Sequence, residues 1–108
     1  MTTISKENNF LTLINVFHVK PEDQQELVDL LTSATNSSVT KIKGFISSAL
    51  HRSIDGTKVV MYAQWNSIED YQAMRNNPVA SPYLERAQRI AKFEPGMYSV
   101  AETFLPAP

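Results

Sequence analysis

The chain has 108 residues, of which 43% are hydrophobic, and it carries a formal net charge of −1. This length fits a single domain with one core, and the absence of cysteine excludes disulfides, thiolate nucleophiles, zinc knuckles and iron–sulfur ligation. No run of like charge occurs, so nucleic acid and anionic membranes are not expected as partners, because both require clustered Lys and Arg.

The N-terminal segment "MTTISKENNF" contains no apolar signal core, and no segment is long enough to cross a bilayer. We therefore expect a soluble, cytoplasmic protein. We expect residues 1–9 to form an N-terminal extension, residues 10–104 to form the domain, and residues 105–108, "LPAP", to form a loose C-terminal tail.

The first predicted strand covers residues 10–19 and is rich in β-branched and aromatic residues. Both of its faces are largely apolar. By alternation they carry Phe10, Thr12, Ile14, Val16 and His18 on one side, and Leu11, Leu13, Asn15, Phe17 and Val19 on the other. A strand that is apolar on both sides has to be covered on both sides.

A helix and a hairpin follow this strand. "KPEDQQELVDLLTSAT" predicts an amphipathic helix, with Pro21 at its first position and an apolar stripe at helical spacing. Residues 45–53 and 58–65 read as two strands on either side of "IDGT". Asp-Gly between two such runs is a strong hairpin signal, because Gly tolerates the positive φ of a tight turn.

Two more helices and a final strand complete the predicted elements. "NSIEDYQAMRNN" predicts a helix that Ser67 caps and Pro78 ends. "SPYLERAQRIAKF" predicts another, capped by Ser81, whose apolar stripe runs to residue 91. "EPG" breaks the chain, and residues 97–104, "MYSVAETF", alternate as a last strand.

The predicted order is β-α-β-β-α-α-β, which indicates an α+β fold of the ferredoxin-like, split-βαβ type. It places helices on one face of a four-stranded antiparallel sheet. The opposite face is also apolar, and an exposed apolar surface of that size associates. We therefore expect a homodimer in which two sheets pack face to face.

With these elements in place, the sequence resembles the antibiotic biosynthesis monooxygenase (ABM) family of the dimeric α/β-barrel superfamily. The likeness lies in "GFISSALHRSIDGTKVVMYAQWNSIEDYQAM", "SPYLERA" and "FEPGMYSVAETF", and extends over residues 10–104. The resemblance implies a homodimer with one pocket per subunit, between sheet and helices. It also implies a monooxygenase, an oxidoreductase that uses O2 on a small phenolic or quinol-type aromatic without metal, flavin or haem.

The resemblance assigns the catalytic positions to Trp65 and Tyr71, which match the pocket tryptophan of family enzymes and a tyrosine six residues later. The indole N–H and the phenol hydroxyl are both able to bond a substrate oxygen. The alternative for Trp65 is that it only packs the helices onto the sheet. The alternative for Tyr71 is an amphipathic side chain with its hydroxyl in water.

Asn15 is the third catalytic candidate, because a mid-strand amide requires partners and haem-degrading relatives use an asparagine at a similar place. Its alternative role is a bond to neighbouring backbone or a place in the dimer interface. Met61 departs from some family oxygenases, which carry an asparagine four residues before the tryptophan. This methionine removes one polar contact, and it favours either another substrate orientation or a protein without catalysis.

The remaining candidate contacts to substrate, besides Met61, are Leu13 and Phe17, which share the face of Asn15, and Tyr83 and Arg86 on the last helix. Arg86 and Arg89 are suited to an anionic substrate, or else belong to the solvated face of this helix. No metal site is expected. His18 and His51 lack a third ligand, and the haem-degrading branch needs a histidine where Tyr83 and the next residue stand.

Two alternatives to oxygenation stay open at this point. One is a small-ligand-binding or stress-related protein that catalyses nothing, and the other is an isomerase or cyclase of the same superfamily. Oxygen consumption distinguishes a monooxygenase from both alternatives.

Overall fold

The computed structural model describes residues 2–76 and 81–108, apart from the side chain of Ser81. The predicted helix end at Pro78 and the predicted cap at Ser81 lie outside this description. Within it the order is β1 (Leu11–Val19), α1 (Gln24–Ser37), β2 (Phe45–Arg52), β3 (Lys58–Trp65), α2 (Ile68–Arg75), α3 (Ser81–Ile90), β4 (Ala91–Glu94) and β5 (Met97–Tyr98).

The strands form one antiparallel sheet in the order β2-β3-β1-β4, with β5 also paired to β1. This order confirms the ferredoxin-like prediction, in which the central strands β1 and β3 are the first and third strands of the chain. The fourth position of the predicted sheet is shared by β4 and β5. Both lie along the same edge of β1, and they are joined at the residues around Gly96, whose carbonyl accepts from Ile14 N at 3.0 Å.

Local signals account for most element boundaries. A 3₁₀ turn at Pro21–Asp23 leads into α1, whose buried residues Leu27, Leu31 and Ala34 recur at helical spacing. Gly56 in the β2–β3 turn has a φ of +82°. This is the positive φ that the Asp-Gly pair predicted for a tight turn. The helix α2 begins where Ser67 Oγ accepts from Asp70 N at 3.1 Å.

Two predicted boundaries are wrong. The helix α3 ends at Ile90, and Ala91–Glu94 is a strand in which Ala91 pairs with Val19 and Phe93 with Phe17. The predicted last strand, residues 97–104, is reduced to Met97–Tyr98. Tyr98 pairs with Thr12, one residue after the start of β1, so a longer strand would run past its partner.

The core lies between the sheet and the helices. Along β1 the buried residues Leu13, Phe17 and Val19 alternate with half-buried Ile14 and Val16, so the first set faces the helices. The buried residues form two clusters, one around Phe17 and the other around Trp65. In the described part of the chain, no helix is long and apolar enough to cross a membrane.

Candidate functional site

A cavity lies on the helix side of the sheet, between the two core clusters. Its volume is about 80 Å³, and it is partly open to solvent. The wall is mostly apolar and includes Leu13, Phe17, Leu31, Ala63, Met74 and Leu84. A concave apolar site with a few polar groups is the usual form of a small-molecule site.

Trp65 forms the wall of this cavity at the end of β3. It is 1% exposed, the Phe45 ring meets it edge-on at 5.4 Å between ring centres, and the Tyr71 ring lies 6.1 Å away. Trp65 therefore both packs in the core and lines the cavity, two roles that the sequence analysis treated as alternatives.

Tyr71 reaches the same cavity because the chain turns sharply after β3. Asn66 N donates to Gly44 O at 2.7 Å, and the Ser67 cap then starts α2. One turn into this helix, Tyr71 is 4% exposed and lines the cavity. Its hydroxyl lies 3.5 Å from Arg75 Nη1, a long contact at the limit of hydrogen bonding. The hydroxyl therefore keeps capacity for a ligand.

Asn15 lies in the sheet wall of the cavity, beside Met61, with which it pairs on the neighbouring strand β3. It is 9% exposed, and its side-chain Oδ1 has no hydrogen-bond partner within residues 2–76 and 81–108. Buried polar atoms are nearly always paired, so an orphaned one calls for an explanation. Asn15 also lines the cavity, so this amide is a polar group of the wall with unused hydrogen-bonding capacity.

The structure brings together six of the eight candidates. Asn15, Trp65 and Tyr71 line the cavity with Leu13, Phe17 and Met61, whereas Tyr83 and Arg86 are not among the described lining residues. The two histidines lie elsewhere: His18 pairs with Glu94 at 3.1 Å on the surface, and His51 is exposed. The described residues contain no group of three His, Cys, Asp or Glu able to hold a metal ion.

Arg75 and Phe93 are cavity residues that the sequence reasoning missed. A usable signal was present for Arg75, which follows Tyr71 by four residues and so shares its helix face. Phe93 was assigned to a helix, whereas strand pairing with Phe17 places its ring 4.9 Å from that of Phe17.

The geometry limits what the site can bind. An apolar cavity of about 150 Å³ admits benzene, so a polycyclic ring has to extend into the mouth of this smaller cavity or displace flexible side chains such as Met61. Inside, the ring meets an indole, a phenol and the amide of Asn15 among mostly apolar side chains. Such a site can hold an aromatic and bond its oxygen substituents.

Comparison with known proteins gives concordant matches. The family described as "Antibiotic biosynthesis monooxygenase" matches residues 10–92. A tetracenomycin-F1 monooxygenase of Streptomyces glaucescens is 38% identical over 104 residues, which are 96% of this chain and 93% of that protein. The crystal structure of the monooxygenase from the gene ActVA-Orf6 of Streptomyces coelicolor, in complex with nanaomycin D, has a TM-score of 0.78 and 27% identity, covering 91% of this chain and 93% of that one.

The fold recurs in a more distant structure. SnoaB, a cofactor-independent oxygenase from Streptomyces nogalater, has a TM-score of 0.72 and 18% identity, covering 89% of this chain and 97% of that chain.

Proposed function

Because the chain belongs to the antibiotic biosynthesis monooxygenase family, we propose that it is a cofactor-independent monooxygenase of a phenolic or quinol-type aromatic. The observation that carries this proposal is an apolar cavity whose wall holds Trp65, Tyr71 and Asn15, the last with an Oδ1 that has no partner among the described residues. The name of the tetracenomycin-F1 relative and the nanaomycin D bound to the Streptomyces coelicolor structure support a polycyclic substrate.

The reaction needs little from the protein beyond position and environment. An ionised quinol or anthrone is electron-rich enough to give O2 one electron, and the two radicals then recombine to a peroxide. Loss of water from the peroxide leaves a new C=O group, so one oxygen atom enters the product and the other leaves as H2O. The protein contributes by holding the ring, excluding bulk water and stabilising the anion.

We assign the roles from the polar groups of the cavity. The Asn15 amide bonds a substrate hydroxyl, since its Oδ1 is an acceptor and its Nδ2 a donor. The Trp65 indole N–H and the Tyr71 hydroxyl donate to the oxygen that carries the developing charge. Leu13, Phe17 and Met61 hold the flat ring by apolar contact.

The test is oxygen uptake with a panel of anthrones and naphthols, followed in air and under nitrogen. We expect turnover that requires O2 and that consumes one O2 per quinone formed. Equal rates in air and under nitrogen would assign the cavity to an isomerase or cyclase. Tight binding without turnover would instead identify a ligand-binding protein, the reading that Met61 favours.

We also propose the homodimer, with the helix-free sheet faces in contact. This face carries half-buried Ile14 and Val16 on β1, and half-buried Val60 and Tyr62 on β3. Sedimentation velocity should give the mass of a dimer, and Val16→Glu should shift it to the monomer. Ile54→Glu at the fully exposed hairpin tip is the matched control and should leave the dimer intact. A monomeric wild type contradicts this proposal.

A further inference from the structure

One charged side chain stands in the cavity wall. Of the described residues that line the cavity, only Arg75 on the last turn of α2 bears a charge. Its guanidinium carbon lies 5.3 Å from the centre of the Phe93 ring, a cation–π contact, and its Nη1 reaches the Tyr71 hydroxyl at 3.5 Å. These two contacts hold the guanidinium beside the aromatic end of the site.

Within residues 2–76 and 81–108, most of the N–H donors of this guanidinium have no partner. The group has five N–H donors, and its one hydrogen bond within the described ranges is the long contact to Tyr71. The cation–π contact consumes no N–H group, and no carboxylate of the described chain lies within ion-pair distance of Arg75. Arg75 is exposed at the mouth, so its charge keeps part of its hydration until a ligand arrives.

An exposed guanidinium whose N–H donors mostly lack partners among the described residues is complementary to an anionic oxygen. It binds carboxylates through two parallel hydrogen bonds, and charge-assisted bonds are about twice as strong as neutral ones. The other described lining side chains are neutral or apolar, so none of them competes with Arg75 for an anion. An ion pair at the edge of an apolar cavity is also less screened than one in water.

We propose that Arg75 is the specificity determinant for substrates with an anionic oxygen, a carboxylate or an ionised phenol, at the ring edge that faces the mouth. This inference rests on the proposed function, because it takes the cavity as the site of the aromatic substrate. The inference adds that this substrate is negatively charged and that Arg75 recognises the charge.

The test is isothermal titration calorimetry at neutral pH with naphthoate and with naphthamide, which has nearly the same shape but no charge. Wild type should bind naphthoate about tenfold or more tighter than naphthamide. Arg75→Gln should remove that preference, because binding of naphthoate should weaken much more than binding of naphthamide. Arg75→Lys keeps the charge without the fork and should retain part of the preference.

Arg89→Gln supplies the matched control, because it removes the same charge from an exposed position of α3 that is not among the described lining residues. This variant should behave as wild type towards both ligands. Naphthol, titrated below and above its own pKa, is the second arm. A preference confined to naphthol above its pKa assigns the anionic oxygen to a phenolate, and one confined to naphthoate assigns it to a carboxylate.

Three results would overturn the inference. These are equal binding of charged and neutral ligands by wild type, a loss of naphthamide binding in Arg75→Gln that equals the loss of naphthoate, or the same effect in Arg89→Gln. Binding that shows the charge preference without any oxygen uptake removes the oxygenase proposal and leaves Arg75 in its role. Oxygen uptake without charge preference does the reverse.

Discussion

Replacing Asn15 by Leu should make the protein more stable and less active at once. Leu has the same branching at Cγ, so it fills the space of the amide. It removes Oδ1, which is buried without a partner among the described residues. An unsatisfied buried acceptor costs about 1–3 kcal/mol. The free energy of unfolding should therefore rise by about that amount.

The matched control is Gln64→Leu, a buried amide on β3 whose groups are all engaged. Gln64 is 4% exposed, its Nε2 donates to Thr3 O at 2.7 Å, and its Oε1 accepts from Ser47 Oγ at 3.1 Å. The same substitution here breaks these two hydrogen bonds and a third, from Gln64 Nε2 to the Tyr62 hydroxyl at 3.3 Å, so the free energy of unfolding should fall by about 1 kcal/mol or more. The two amides differ in their partners, and the two variants should change stability in opposite directions.

Urea unfolding measures both variants, and it should be repeated over a wide range of protein concentration so that association does not contribute. In a chain of this size, 1 kcal/mol corresponds to about 4 °C or more in Tm, so scanning calorimetry resolves the effect. Oxygen uptake by Asn15→Leu should fall about tenfold or more, the worth of one substrate hydrogen bond. If Asn15→Leu unfolds as easily as Gln64→Leu, the amide is structural and the argument from its orphaned oxygen fails.

Trp65→Phe keeps a ring and removes the indole N–H, so activity or ligand affinity should fall while sedimentation still shows the wild-type assembly; equal losses of Tm and function would indicate packing alone. Met61→Asn adds a polar group to the cavity wall, and we expect faster oxygen uptake with unfolding easier by about 1–3 kcal/mol; a slower enzyme would contradict the role given to this position. Hydrogen bonds from the Thr57 side chain and backbone and from the Ser53 side chain lower the pKa of Asp55 to about 2, from 3.8. The stability that Asp55 contributes is thus present above about pH 3.8 and is lost as the pH falls towards 2. The difference in unfolding free energy between wild type and Asp55→Ala should shrink over that window, and a difference that is constant from pH 4 to pH 2 would refute the assignment.

Local chemistry made most of the fold predictable. The Asp-Gly turn, the Ser67 cap and the stripe of α1 each have a short-range cause, and their order leads to the ferredoxin-like sheet and to the family. The errors occurred where pairing with a distant strand decides the secondary structure. Residues 91–94, "AKFE", alternate like a strand, but they follow directly on a helical stripe, and only pairing with β1 separates the two.

The candidate site was also predictable where local pattern decides and not where the assembled fold decides. Strand parity places Asn15 with Leu13 and Phe17, and the resemblance supplies Trp65 and Tyr71, all of which meet at one cavity. Parity carries no information about how α3 is rotated, so Tyr83 and Arg86 were chosen from a helix whose cavity-lining residues are Leu84 and Gln88. That Oδ1 has no partner in the described part of the chain is likewise a property of the assembled wall. No feature of residues 10–19 alone predicts it.

Trp65 is the only tryptophan of the chain, and it is buried in the cavity wall. Its fluorescence therefore comes from a single known place, and the emission of the folded protein should lie at the short wavelengths typical of an indole shielded from water. A flat aromatic guest that absorbs in the range of this emission should quench it by energy transfer. The native protein thus carries a label-free reporter of its own occupancy, readable during a titration or a stopped-flow mixing experiment.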